Sequence, residues 1–375
     1  MRSLLVAASF PPALGGVETL LYQTTRRLAD PPLVLAPVPA AAPDLTVQPV
    51  QLQLSHRAAY RPLWRLHPAL HYLHAFWRPA VRAIATWRPG VLQAGHVYLA
   101  PLTWLLARRL GVPFVVYAYG QEVWRGGRPM GLGALDARLR GSALRAADRV
   151  LVPGAFTAGL LADEWHVKRE RLRAIPYGAE PQPRHDLSPL SSQAATLLTV
   201  ARLIPRKGVD AVITALAKLP EDVTYRVVGR GPDEPRLRAL AESKGVADRV
   251  QFLGRLDDDA LAAEYRRCTL FVLPARRTNE GSLEGYGLVY FEAAAWGRAV
   301  IAGRSGGEID AVVDGETGLL IDGASPDEVE HAIAALLNDP ARLQRFGEAG
   351  RRRVETTHNW SNAAATVDQT LRDLA

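Results

Sequence analysis

The sequence predicts two α/β domains, each built on a doubly wound parallel sheet, that face each other across a ligand-binding cleft. Short apolar or β-branched runs alternate with helical patterns along the whole chain, which is typical of βαβ units. A length of 375 residues suits two domains, and a composition of 48% hydrophobic and 22% charged residues is that of a globular protein. A Pro- and Ser-rich stretch without periodicity, residues 180–193, is typical of a linker between the halves.

Runs of buried character predict the strands in chain order. In the first half they are Ser3–Ser9, Leu33–Val38, Val91–Ala94, Pro113–Tyr119, Arg149–Pro153 and Leu172–Pro176. In the second half they are Ala195–Ala201, Thr224–Gly229, Val250–Gly254, Thr269–Pro274 and Ala299–Gly303. We expect domains over residues 1–185 and 190–358, with a last helix over residues 360–375 that packs back on the first domain. Because such sheets bind ligands outside the carboxyl ends of their strands, the loops that follow the strands are the candidate sites.

The N-terminus predicts a buried strand rather than a signal peptide, because the apolar run Leu4–Ala8 is short and two prolines follow it closely. The best candidate for a membrane-spanning helix is broken by Arg108 and Arg109. The single cysteine, Cys268, cannot form an internal disulfide. These features favour a cytoplasmic protein that is soluble, or at most peripheral on the inner face of a membrane.

The net charge of +7 is unevenly distributed. Residues 1–190 carry 22 basic and 11 acidic side chains, whereas residues 191–375 carry 23 and 27. A basic first half suggests an anionic surface or an anionic acceptor near it. The charges are scattered rather than interleaved with a motif that reads bases, so specific nucleic-acid binding is not favoured.

Residues 51–100 combine positive charge with apolar bulk. They contain no acidic residue and six arginines: Arg57, Arg61, Arg65, Arg78, Arg82 and Arg88. Tryptophans, a phenylalanine and leucines are interspersed, as an anionic membrane interface requires. Pro62, Pro68 and Pro79 are expected to interrupt any single amphipathic helix, so a second interpretation stays open in which the apolar side chains are buried in the first domain.

The stretch Glu284–Glu292, EGYGLVYFE, is the most informative in the chain. A loop that contains Gly285 and Gly287 leads from a buried strand into a helix predicted over Leu288–Trp296, so backbone amides and the helix N-terminus suit a phosphate. A carboxylate at each end of this stretch accepts paired hydrogen bonds from sugar hydroxyls well. Alternatively, the glycines only make a turn and Glu292 is a solvated helix residue.

Three other loops follow predicted strands. Arg202 and Lys207 leave the first strand of the second domain, where bidentate and point-charge contacts to a diphosphate are expected. Gly15 and Gly16 open a helix after the first strand of the chain, but they lack a dinucleotide fingerprint. The loop Gly229–Pro232 is a weaker signal of the same kind. Each loop also fits a turn or solvated loop without a ligand.

Helix starts explain two further patterns. The run Asp257–Asp259 contains the Asp-x-Asp pair that some transferases use for a metal, but it precedes a helical pattern and is better explained by capping. No metal or other cofactor is therefore expected. Ser325, Pro326 and Glu328 predict a cap, a first-turn proline and a capping-box glutamate at another helix start.

Together these segments resemble glycosyltransferase family 4, the retaining enzymes of the GT-B fold. EGYGLVYFE is similar to the family's E-x7-E motif, and VARLIPRKGVD is similar to its basic diphosphate motif. Supporting matches are IPYGAE, VVGRGPDEPRLRALA, VQFLGRL and SGGEIDAVVDGETGLLI, in the family's order and over nearly the whole chain. The branch that transfers mannose to phosphatidylinositol and its relatives looks most similar.

The resemblance implies a nucleoside-diphosphate sugar held mainly by the second domain and an acceptor held mainly by the first. Glu292 would hold the ribose and Glu284 the transferred sugar. The residues that would bind the donor are Gly15, Gly16, Gly229, Gly231, Arg255, Leu256, Gly285, Tyr286, Gly287, Leu288 and Glu292, and the catalytic set would be Arg202, Lys207, Glu284 and Tyr119. Tyr119 stands where the family often has a histidine, and His96 is a candidate neighbour.

The resulting hypothesis is a metal-independent, retaining hexosyltransferase of glycan biosynthesis. It would move mannose or glucose from a GDP- or UDP-hexose to a hydroxyl acceptor, such as a glycan, a lipid or a lipid-linked sugar. Two alternatives remain open at this point: a nucleotide-sugar epimerase of the same fold, and a catalytically silent protein that binds sugar nucleotides.

Overall fold

The computed structural model describes residues 1–11, 15–37, 42, 44–50, 68–124, 134–183, 195–278 and 283–375. The chain divides into two compact units. Unit 1 comprises Met1–Tyr177 and Trp360–Ala375, and unit 2 comprises Gly178–Asn359. The chain thus leaves unit 1 once and returns to it for its last helix.

Unit 1 is built on a seven-stranded parallel sheet of order β3-β2-β1-β4-β5-β6-β7. Its strands are β1 Ser3–Val6, β2 Leu33–Pro37, β3 Val47–Val50, β4 Val91–Ala94, β5 Phe114–Tyr117, β6 Arg149–Val152 and β7 Leu172–Ala174. Its helices are α1 Gly16–Thr25, α2 Pro68–Trp87, α3 Ala100–Leu110, α4 Ala134–Ala146, α5 Ala155–Trp165 and, at the end of the chain, α13 Trp360–Arg372. Helix α13 packs on α1, and the carboxylate of Asp368 accepts a 2.9 Å hydrogen bond from the amide of Ala29.

Unit 2 is built on a six-stranded parallel sheet of order β10-β9-β8-β11-β12-β13. Its strands are β8 Thr196–Val200, β9 Thr224–Val228, β10 Val250–Gly254, β11 Leu270–Leu273, β12 Val300–Gly303 and β13 Gly318–Ile321. Its helices are α6 Val209–Leu216, α7 Glu234–Ser243, α8 Asp258–Arg267, α9 Leu288–Ala295, α10 Glu308–Ala311, α11 Pro326–Leu337 and α12 Pro340–Thr356. The strand order reverses between β8 and β11, so the loops that follow these two strands share one edge of the sheet.

The central strands form because every residue in them can be buried. β1, β4, β5, β11 and β12 are buried along their whole length. Parallel sheets of this kind are covered by helices on both faces, which is why their strands are continuous apolar runs. All eleven predicted strands are confirmed, each at its predicted place or one to three residues shorter.

Two strands escaped prediction, and both lie at the edges of their sheets. β3 has the sequence VQPV, and its proline lacks the N–H of an interior strand residue. β13 is a four-residue strand that begins with Gly318 and is only partly buried. An edge strand is exposed along one side, so its sequence carries a weaker apolar signal.

Helix α2 corrects the expectation that prolines interrupt residues 51–100. Pro68 begins this 20-residue helix and Pro79 lies inside it. Pro79 removes one backbone hydrogen bond, but Phe76, Ala80 and Ala83 bury one face of the helix in the core of unit 1. Packing along that face therefore keeps the helix continuous. Pro62 and the arginines at 57, 61 and 65 lie outside the described residues.

The predicted helix start at Ser325 is confirmed in part. The Ser325 hydroxyl accepts a 3.2 Å hydrogen bond from the amide of Glu328, and Pro326 occupies the first turn. The capping-box role of Glu328 is wrong, because its carboxylate accepts from the amide of Asp322 at 2.9 Å instead. The run at 257–259 does begin a helix: the carboxylate of Asp257 accepts from the amide of Ala260 at 2.9 Å.

Candidate active site

A buried cluster of one carboxylate and two cations lies where the loops after β8 and β11 meet. The loop after β8 ends in a short 3-10 turn, Pro205–Lys207, which brings two consecutive basic side chains to one place. Nζ of Lys207 lies 2.5 Å from Oε2 of Glu284, and Nη1 of Arg206 lies 2.8 Å from the same oxygen. Lys207 and Glu284 are only 9% and 7% exposed, so this carboxylate is neutralised away from bulk water.

The charge of Glu284 depends on these two partners. Burial acts to raise its pKa, but Lys207 and Arg206 together outweigh burial and hold the pKa below its ordinary value. Glu284 is therefore ionised, and the two cations share its charge. The remaining positive charge of the cluster is available to an anion.

Arg206 is the functional residue that sequence reasoning missed. The resemblance assigned the diphosphate to Arg202 and Lys207, yet it is Arg206 that pairs with Glu284. Arg202 is exposed at the start of the same loop. The available signal was the adjacent basic pair, but its meaning depends on the 3-10 turn, which is not apparent from spacing.

The backbone around Glu284 is shaped to present amides. Gly287 precedes helix α9 with φ at 83°, a conformation that favours glycine. The helix begins at Leu288, and the buried ring of Tyr286 packs against Phe291 with centroids 5.4 Å apart. The start of the helix and the half-buried Gly285 therefore supply N–H groups beside the two cations, an arrangement suited to phosphate.

A second glycine loop supports the first from behind. The amide of Gly307 donates to the carbonyl of Glu284 at 2.9 Å. A Cβ at Gly306 or Gly307 would collide with the backbone of Glu284 or Gly285. The loop before helix α10 thus fixes the position of the glutamate loop.

Glu292 lies in the second turn of helix α9 and is half-buried. Its Oε2 accepts a 2.7 Å hydrogen bond from the hydroxyl of Tyr265. Burial raises the pKa of Glu292, although the bond from Tyr265 acts in the opposite direction. Glu284 and Glu292 therefore lie on the same loop and helix in different settings, one beside two cations and one beside a tyrosine.

The loops after β9 and β10 lie on the same edge of the sheet. A Cβ at Gly229, where φ is 126°, would overlap the carbonyl of Ala201, and a Cβ at Gly231 would overlap that of Leu203. These glycines therefore allow close backbone packing against the loop after β8. In the loop after β10, Arg255 is exposed and Leu256 is half-buried.

The predicted residues of unit 1 lie at the carboxyl ends of β1, β4 and β5. Gly15 and Gly16 are exposed, Gly15 directly precedes helix α1, and the carboxylate of Glu18 folds back against Gly15. Tyr119 is buried, and its hydroxyl donates to the carbonyl of Gly95 at 3.2 Å. The ring of His96 lies 6.1 Å from that of Tyr119.

Glu308 is a further buried acid that sequence reasoning did not identify. Its Oε1 accepts from the amide and the hydroxyl of Ser305, at 2.5 and 2.7 Å. Its Oε2 has no hydrogen-bond partner among the described residues. Burial raises the pKa of Glu308 above its ordinary value of 4.5, against the hydrogen bonds from Ser305.

Glu308→Gln should alter how stability depends on pH. As pH rises through 4.5, the unfolded chain releases the Glu308 proton before the folded chain does, so the wild-type free energy of unfolding falls by up to about 1.4 kcal/mol per pH unit until the raised folded pKa is passed. The glutamine variant lacks this loss. Urea unfolding between pH 4 and pH 7 should show the variant gaining relative to the wild type as pH rises. Glu221→Gln, on the surface, is the control, and curves parallel to wild type for both variants would refute the expectation.

Two searches of the described residues return negative findings. They contain no group of three or more His, Cys, Asp or Glu side chains arranged to hold a metal ion. None of their helices is both long enough and apolar enough to cross a bilayer.

Solved structures share this architecture. The Anabaena protein HepE in complex with UDP aligns with a TM-score of 0.79 over 100% of both chains, at 19% identity. At that identity the likeness shows the fold. Two Rossmann-like parallel-sheet domains of this kind define a protein of the GT-B fold, as the sequence predicted.

The family follows from sequence comparison. Residues 14–182 match the family described as Glycosyltransferase Family 4, and residues 185–353 match Glycosyl transferases group 1. A D-inositol 3-phosphate glycosyltransferase of Acidothermus cellulolyticus is 30% identical over 409 residues, which cover 96% of this chain and 86% of that protein. The chain belongs to glycosyltransferase family 4, which confirms the resemblance.

One group of relatives is more similar over a shorter stretch. A GDP-mannose-dependent alpha-(1-6)-phosphatidylinositol monomannoside mannosyltransferase of Mycobacterium tuberculosis is 39% identical over 211 residues. The match covers 55% of this chain and 54% of that relative, so the chain spans about half the length of that protein in this alignment.

Proposed function

We propose that the protein transfers a hexosyl group from a nucleoside-diphosphate sugar to a hydroxyl acceptor, with retention at the anomeric carbon. The observation that carries this proposal is the cluster of Arg206, Lys207 and Glu284 beside the amides at the start of helix α9. Cations and aligned amides stabilise a diphosphate, and a carboxylate next to them binds sugar hydroxyls. The family membership and the names of the relatives support the same reaction.

The cluster assigns a role to each side chain. As the bond between the anomeric carbon and the diphosphate oxygen breaks, its electron pair leaves with the diphosphate. Lys207 and Arg202, with the amides near Leu288, stabilise the charge that develops there. Glu284 orients the hexose and Glu292 the ribose. Two cations and a helix N-terminus neutralise the leaving group, so the proposed reaction needs no metal ion.

The relatives favour a GDP-hexose donor. The M. tuberculosis relative is named as GDP-mannose-dependent, whereas the structurally similar HepE was crystallised with UDP. We therefore place GDP-mannose first and a UDP-hexose second. The acceptor proposed is a glycan, a lipid or a lipid-linked sugar, because the same relative acts on a phosphatidylinositol mannoside by its name.

Nucleotide binding and turnover test the proposal together. A bound nucleotide raises the melting temperature by an amount set by its concentration relative to its Kd. We expect a larger shift with GDP than with UDP or ADP, and mannosyl transfer from GDP-mannose when lipid extract is added. A shift with UDP and none with GDP would reverse the donor ranking. No shift with any nucleoside diphosphate would refute the proposal.

A silent sugar-nucleotide-binding protein is the second candidate, and Tyr119 favours it. The family often has a histidine at this position, and here the tyrosine hydroxyl is buried and bonded to a backbone carbonyl. Nucleotide binding without donor hydrolysis or transfer would support this candidate. An epimerised sugar nucleotide, formed from donor alone, would instead identify an epimerase.

We also propose that unit 1 contacts an anionic membrane on its cytoplasmic side. Helix α2 exposes Arg78 and Arg82, and α3 exposes Arg108 and Arg109. Large apolar side chains are exposed on α2, α3 and the adjacent α4: Val81, Leu105, Leu110 and Leu135. Basic and apolar groups side by side suit an anionic lipid surface, at about 1 kcal/mol for each basic residue near it.

Liposome co-sedimentation tests the membrane contact. We expect binding to anionic vesicles that weakens with salt and falls sharply when Arg61, Arg65 and Arg78 are changed to Glu. Lys244→Glu, Arg345→Glu and Arg352→Glu together make the same change in charge on exposed residues of unit 2 and should leave binding nearer to wild type. A wild-type protein that ignores anionic vesicles at low salt favours a soluble acceptor.

A further inference from the structure

Tyr265 is a buried tyrosine that the proposed chemistry does not use. It lies near the end of helix α8, is 2% exposed, and packs its ring against Phe271 of β11 at a centroid distance of 5.9 Å. Its hydroxyl reaches across to helix α9, where it lies 2.7 Å from Oε2 of Glu292. Among the described residues, this hydroxyl is the hydrogen-bond donor recorded for that carboxylate.

The hydroxyl keeps its proton under all ordinary conditions. Burial raises the pKa of Tyr265 well above its usual value, and the charge of Glu292 raises it further. Tyr265 is therefore a permanent donor and Glu292 the acceptor. A carboxylate on an exposed helix position samples several rotamers, whereas a carboxylate held by a buried donor is restricted to few.

The backbone of Tyr265 is itself anchored. Nε of Arg298 donates to its carbonyl at 3.1 Å, and Sγ of Cys268 lies 3.4 Å from the same oxygen. The ring is fixed by Phe271 and the main chain by Arg298, so the hydroxyl position is set by the fold before any ligand arrives.

We propose that Tyr265 is a positioning residue that makes the donor site select ribonucleotides. It occupies Oε2 of Glu292 and leaves Oε1 as the acceptor for the ribose hydroxyls, in an orientation fixed in advance. The inference rests on the proposed function, which places the ribose on Glu292. An acceptor ordered before binding pays no ordering entropy when the ribose arrives, and a nucleotide that lacks one hydroxyl loses that advantage.

Calorimetric titration with GDP, 2′-deoxy-GDP and 3′-deoxy-GDP tests the inference. The wild type should bind GDP about tenfold more tightly than at least one of the deoxy forms, as expected for a hydrogen bond to a charged group. Tyr265→Phe should weaken GDP binding about three- to tenfold and change binding of that deoxy form by less than about twofold. UDP and its deoxy forms replace GDP if UDP gives the larger thermal shift.

Tyr290→Phe is the matched control. Tyr290 is also buried, lies on the same helix as Glu292, and donates its hydroxyl to the carbonyl of Leu273 at 2.9 Å. Its loss should leave the ratio of GDP to deoxy-GDP affinity unchanged. In a Glu292→Ala background, Tyr265→Phe should have no further effect on any nucleotide, whereas a merely structural role would weaken binding in both backgrounds.

The outcomes separate this inference from the proposed function. A Tyr265→Phe variant with wild-type selectivity would overturn the inference and leave the proposed function standing. A wild type that binds GDP without discriminating against either deoxy form would overturn the ribose contact of Glu292 and, with it, this inference. A wild type that binds no nucleoside diphosphate would overturn the proposed function itself.

Discussion

Lys207→Ala should reduce kcat by about 100- to 1,000-fold, because it removes a cation that stabilises the leaving diphosphate in a site shielded from water. The same change leaves the buried carboxylate of Glu284 with Arg206 as its remaining partner in the cluster. Unpairing part of a buried ion cluster should also lower the free energy of unfolding, by about 1–3 kcal/mol. Steady-state kinetics with GDP-mannose and urea unfolding measure the two effects separately.

Lys218→Ala is the control for charge alone. Lys218 also forms an ion pair, with Asp327 at 2.6 Å, but both side chains are more than half exposed. Such pairs contribute little to stability. Its removal should leave kcat and unfolding near wild type. A Lys207→Ala enzyme with kcat within about twofold of wild type would exclude this residue from the reaction, whatever its stability.

Gly229→Ala should destabilise unit 2 by roughly 3 kcal/mol or more, since its Cβ would overlap the carbonyl of Ala201 in a backbone conformation that L side chains rarely adopt. Gly245→Ala separates the two causes. Gly245 has φ at 69° but open space around its Cβ, so it carries the conformational strain without the collision and should cost about 1 kcal/mol. Chemical unfolding of the two variants provides the comparison.

The consequence for nucleotide binding follows from the same collision. Because the alanine would push apart the loops after β8 and β9, GDP affinity should fall together with stability in Gly229→Ala and remain near wild type in Gly245→Ala. Equal stability of the two variants would show that the backbone at Gly229 can move away from Ala201 at little cost.

The central sheets and the glutamate loop were predictable because their signals are local. A strand buried on both faces needs a continuous apolar run, and β1, β4, β11 and β12 have one. The amide-rich helix start at Leu288 was visible from the glycines that precede it. The edge strand β3 was missed because a half-exposed edge requires no such run.

The contacts that complete the candidate site were not predictable from spacing. Arg206 meets Glu284 only because a 3-10 turn brings it beside Lys207, and the two partners are 78 residues apart. Tyr265 reaches Glu292 through the packing of two helices on either side of β11 in the chain. The continuity of helix α2 through Pro79 likewise depends on tertiary burial, which outweighs the local preference of proline.

The return of the chain to unit 1 for its last helix has a consequence for the order of folding during synthesis. The ends of unit 2 are adjacent, since the amide of Ala179 bonds to the carbonyl of His358 at 3.3 Å. Unit 2 can therefore close as a continuous segment as soon as residue 359 has left the ribosome. Unit 1 must wait for helix α13, which packs on α1 from more than 300 residues away along the chain. The first unit to be synthesised is then the last to be completed, and until then the face of α1 that receives α13 must be kept from aggregation.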